Sequence, residues 1–125
     1  MTTEGQKRLH DIRLAAETIG RFASGKFISG FKGDELLQTA VERKLGIIGE
    51  AFVKLDQEAP ATAERFPELR QIVGMRNRLV HGYDTLDLDV LWDTVVNEVP
   101  KLLEHTNRVL LEEDGLGLAD GAHRA

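Results

Sequence analysis

Leu9, Ile12, Ala15, Ala16, Ile19, Phe22 and Ala23 recur at steps of three and four residues with charged side chains between them, the signature of one buried helix face, and predict a first helix over about 5–23. A stretch holding Gly25, Gly30 and Gly33 follows and reads as a glycine-rich loop. Asp34 then stands where a side-chain oxygen can accept the free N–H groups of a helix start. The helix it opens carries Leu37, Ala40, Val41, Leu45, Ile48, Ala51, Phe52 and Leu55 on one stripe and stops at Pro60, whose ring cannot continue it. Gly46 and Gly49 lie inside that helix, where glycine costs about 1 kcal/mol against alanine, and suggest close approach of a neighbouring helix.

Pro60 to Pro67 reads as a short connection with one helical turn. A third helix over about 68–81 has the stripe Leu69, Ile72, Val73, Leu79 and Val80, with Gly82 placed to end it. The last helix is expected to start with Asp87 as N-cap, with Leu86 and Leu91 as a hydrophobic staple, and to run through Leu88, Trp92, Val95, Val99, Leu102, Leu103 and Leu110. Pro100 interrupts that pattern without ending it, so a kink near Val96–Pro100 is expected. The segment 113–125 is small and polar and reads as a flexible tail after a domain spanning 1–112. No segment alternates apolar and polar positions as a strand would, so the fold class is all-α: a bundle of four main helices plus a short connecting helical turn.

At 125 residues the chain fits one domain, and 42% hydrophobic with 30% charged residues is the balance of a soluble globular protein. The N-terminal stretch mixes acids and bases and does not read as a signal peptide, and no apolar run could span a bilayer, so a cytoplasmic protein with no membrane contact is expected. With no cysteine there are no disulfides, zinc ribbons or thiol nucleophiles. His10, His105 and His123 share no ligand spacing, so no metal and no cofactor is expected. Net charge is −5, which disfavours broad nucleic-acid affinity, but the charge is unevenly placed. Residues 64–83 hold four arginines against two glutamates, and 84–114 hold nine acids against two bases.

The basic island contains Gly74 to Tyr83, GMRNRLVHGY. Arg76, Asn77, Arg78, His81 and Tyr83 bring guanidinium, amide, imidazole and phenol groups together within eight residues. Guanidinium binds phosphate through a planar fork, and imidazole exchanges protons near neutral pH. This is the minimum for metal-independent RNA cleavage, in which a ribose 2′-hydroxyl attacks the neighbouring phosphate. His81 would transfer a proton while Arg76 stabilises the charge developing on phosphorus. Five helical residues rotate His81 by about 140° from Arg76. Either a turn before His81 redirects it or a second copy of the chain completes the site. By residue type alone, an arginine-rich solvated helix surface closed by a capping histidine fits the same string.

Arg76, four residues, His81, one residue, Tyr83 resembles the motif of the HepT-like toxins of the HEPN superfamily, with Asn77 at its polar position. Leu36 to Leu55 resembles the long second helix of that family, and Leu88 to Leu102 its last helix, proline included; the likeness covers about residues 6–112. The resemblance implies a HEPN-type bundle, a homodimer with both motifs lining one cleft, and a ribonuclease toxin of a type II toxin–antitoxin system acting on RNA, tRNA in particular. It implies that Arg76 and His81 are catalytic, that Asn77 and Arg78 support them, and that Tyr83 accepts AMP from a nucleotidyltransferase antitoxin of the MntA kind. An alternative is a non-catalytic helical module that dimerises or binds nucleotide as the partner of such a nucleotidyltransferase. Thr39, Lys44, Gly46 and Leu69 depart from the residues many relatives carry, and none lies in the motif.

Overall fold

Amphipathic helices of the lengths the pattern predicts account for the backbone of a computed structural model, described over residues 2–68, 71–74, 77 and 87–124. Helix α1 spans Thr3–Ala23, opened by Thr2, whose side chain accepts from the Gly5 N–H at 3.0 Å. Helix α3 spans Glu35–Glu58, and Asp34 caps it as expected, accepting from the Leu37 N–H at 3.0 Å. Pro60 sits in the first turn of the short α4, Pro60–Ala63, where its missing N–H costs nothing. Asp87 caps α5, Leu88–Asp93, by accepting from the N–H groups of Asp89 and Val90. Helix α6 runs Val99–Arg124, so the helical backbone continues through 113–124, past the point where composition suggests a tail.

The core lies between α1, α3 and α6. Leu9, Ile12 and Ile19 of α1, Leu45, Ile48, Phe52 and Leu55 of α3, and Leu102 and Val109 of α6 are all fully buried. Burying each such side chain contributes about 1.5–3 kcal/mol. Arg8 ties the start of α1 to the end of α3 through a two-pronged bond to Glu58, Nε to Oε2 at 3.2 Å and Nη2 to Oε1 at 3.1 Å. That bond raises Arg8 above its ordinary value and lowers Glu58 below its own. No strand occurs among the described residues, and the fold is an all-α bundle.

Three local expectations are revised. The glycine-rich stretch is not all loop: α2, Ile28–Lys32, forms within it. Tertiary packing outweighs glycine content here, because Phe31 is fully buried with its ring 4.9 Å from Trp92. Gln38 completes the turn by donating to the carbonyls of Phe31 at 2.8 Å and Lys32 at 3.1 Å, while Gly25 adopts a φ of 72° in the turn before it. At Gly46 a Cβ would meet nothing within 4 Å, so that glycine answers to no close helix approach. The kink expected near Val96–Pro100 takes the form of a π-helical turn over Thr94–Glu98, closed by the Val99 N–H bonding to the Thr94 carbonyl five residues back. A proline clashes with the carbonyl four residues before it, and the wider turn relieves that clash at Val96.

Candidate functional site

The stretch carrying the basic island begins at a small aromatic hub. Phe66, 2% exposed, packs edge-on against Phe52 of α3, with ring centroids 5.6 Å apart, and against His105 of α6 at 4.5 Å. His105 Nδ1 lies 3.6 Å from Glu68 Oε1, in a largely buried pairing, and the Glu68 carbonyl accepts from the Ile72 N–H at 3.1 Å. Residues 71–74 and 77 are helical, as the periodicity predicts. Ile72 is fully buried and Asn77 is exposed. Five residues separate them, about 140° on a helix, so one faces the core and the other solvent.

Asn77 lines a groove of about 730 Å³ between this segment, the C-terminal half of α3 and α4. Phe66 and Phe52 form its floor, and Val53, Pro67 and Val73 contribute apolar walls. Asp56 and Glu64 bring carboxylates to it, both residues are exposed, and neither makes an ion pair or side-chain hydrogen bond among the described residues. A concave, open space of this size, lined about equally by polar and apolar surface, can receive part of a polymer.

Of the residues singled out in the sequence, the structure places Asn77 on the groove. Arg76, Arg78, His81 and Tyr83 lie outside the described residues, as do Leu69, Leu79, Val80, Gly82 and Leu86. The groove's Val53, Asp56 and Glu64, and the His105–Glu68 pairing, were not signalled by the sequence. The first three meet across the α3–α4 turn and the last pair joins positions far apart in the chain, and no helical periodicity announces such meetings. Among the described residues no group of three His, Cys, Asp or Glu could hold a metal ion, and no helix is long and apolar enough to cross a membrane.

The family described as ribonuclease HepT-like matches residues 12–109. The chain belongs to the HepT-like family. This HepT-like chain, a member of the HEPN superfamily, is 36% identical over 94 residues to "Probable ribonuclease HepT" of Thermococcus cleftensis, covering 75% of this chain and 84% of the relative. It is 34% identical over 105 residues to "Putative RNase TTE0752" of Caldanaerobacter subterraneus subsp. tengcongensis, covering 84% and 93% respectively. No solved structure matches it. The all-α architecture is that of a HEPN-type helical bundle. The match runs through α3, the basic island and the first part of the final helix, so the motif sits inside the matched region.

Proposed function

We propose that this HepT-like protein is a metal-independent endoribonuclease and the toxin of a type II toxin–antitoxin pair in the cytoplasm. The observation that carries this reading is the Arg76–His81 motif, placed within a family match whose curated relatives are named as ribonucleases. Arg76 binds the scissile phosphate of RNA, tRNA being the expected substrate, and stabilises the charge that builds on it. His81 moves the proton as the 2′-hydroxyl attacks, the 5′-oxygen leaves, and a cyclic phosphate remains. Asn77 and Arg78 support the phosphate by hydrogen bonding and charge. The angular separation of Arg76 and His81 on a helix favours a homodimer in which the two motifs share a cleft.

Control falls to Tyr83. Its phenolic oxygen attacks the α-phosphorus of ATP on a nucleotidyltransferase antitoxin of the MntA kind, pyrophosphate leaves, and AMP stays on the tyrosine. A phosphate so placed competes with RNA for Arg76 and His81. The deciding experiment is cleavage of total tRNA by the purified, unmodified protein in EDTA, beside Arg76→Ala and His81→Ala. Cleavage by the wild type alone, with both variants folded and of the same oligomeric state, supports the reading. Equal behaviour of all three favours the alternative, in which the bundle is a non-catalytic partner of the nucleotidyltransferase.

A further inference from the structure

The groove beside Asn77 has a chemistry that the motif does not use. A phosphate is poorly served there, because Asp56 and Glu64 present carboxylates without a neutralising partner among the described residues. Val53, Phe66 and Val73 supply apolar side chains to the same lining. A Cβ at Gly74 would meet nothing within 4 Å, so a side chain placed there has open space to occupy. The aromatic ring of Phe66 combined with carboxylate acceptors in the same groove fits a planar heterocycle that carries N–H donors. In RNA that part is the base, not the backbone. Asn77, on the groove, follows Arg76 directly in the chain.

We infer that this groove is a base-binding subsite for the nucleotide flanking the scissile linkage, and that Asp56 and Glu64 make it prefer bases bearing an amino group over uracil. The inference rests on the ribonuclease reading for its substrate. A carboxylate accepts from the cytosine N4 amine, whereas the uracil O4 in the same place turns lone pairs toward it. Cytosine and uracil have nearly the same size and shape, so the comparison isolates that contact.

The test uses DNA oligonucleotides with a single ribonucleotide, so that one linkage can be cut, and varies the base on either side. At one flank the wild type is expected to favour cytosine over uracil by about tenfold in kcat/KM. The double variant Asp56→Asn with Glu64→Gln, whose amides can also donate to O4, brings the ratio toward one, and Gly74→Leu raises KM by filling the groove. Cleavage without such a preference, or with a preference the double variant leaves in place, overturns the subsite and leaves the ribonuclease intact. If the wild type cuts nothing, NMR titration with cytidine and uridine 3′-monophosphates decides. Cytidine-selective shifts at the Val73 and Gly74 amides that vanish in Gly74→Leu keep the subsite and remove the nuclease, and no shifts overturn it. A wild-type dimer that becomes monomeric in Gly74→Leu would mean that a second copy covers the groove, which also overturns the inference.

Discussion

The two sides of α3 have opposite fates. Leu45, Ile48 and Leu55 are fully buried against the rest of the core, while Val53, Asp56 and Gln57, close to them in sequence, stand exposed on the groove. One side is saturated by packing, and the other keeps the Asp56 carboxylate with no protein partner among the described residues. Holding the fold and meeting a ligand are therefore separable along a single helix, and substitutions on the two sides should move different observables.

The largest effect is expected in the basic island. Arg76→Ala and His81→Ala should each lower RNA cleavage by about 100-fold or more while leaving the denaturant midpoint nearly unchanged, as gel assays and urea unfolding would read. A parallel loss of stability would break the separation. Ile48→Ala, on the packed side, should do the reverse and cost about 2–5 kcal/mol in urea unfolding, because it empties a fully buried site.

Those two predictions rest on regions of unequal legibility. Helices α1 and α3 and the caps Asp34 and Asp87 were readable because each depends on spacing within a few residues. Helix α2 was missed because Phe31 and Trp92, far apart in sequence, decide it. The disturbance around Pro100 was foreseen, but not its π-helical form, which depends on how the chain relieves the clash. The groove was invisible for the same reason as α2: it is made by α3, α4 and the segment around Val73 coming together. The motif itself was legible as chemistry, with Asn77 its member on the described surface.

Smaller effects sharpen the comparison. Gly46→Ala, in open space on α3, should stabilise by up to about 1 kcal/mol, seen as a higher thermal midpoint, since alanine removes backbone entropy and meets no obstacle. The Arg8–Glu58 pair sets a dependence on acid. Because the Glu58 carboxyl is held below its ordinary value of 4.5, its stabilising contribution is complete above that value and is lost as pH falls through the lowered one. Glu58→Gln should flatten that acid limb in unfolding curves measured across pH. Glu42 runs the other way. Burial pushes its carboxyl up, so folding favours the protonated form, and the folded state loses stability as pH rises through the ordinary value toward the raised one. Glu42→Gln should therefore raise the thermal midpoint at neutral pH and leave it unchanged in strong acid.

The π turn over Thr94–Glu98 bears on how this chain can tolerate changes in length. Its five-residue hydrogen-bonded step holds one residue more than an α turn would. Elsewhere in the last helix, removing a residue would swing everything downstream by about 100° and carry Leu102, Thr106 and Val109 out of the core. Removing one within 94–98, with Pro100 exchanged for a residue that has an N–H, converts the turn to ordinary α-helix and leaves those side chains, and His105 against Phe66, in register. The turn is thus a built-in allowance of one residue, located where this chain can lose a residue and still close the same bundle.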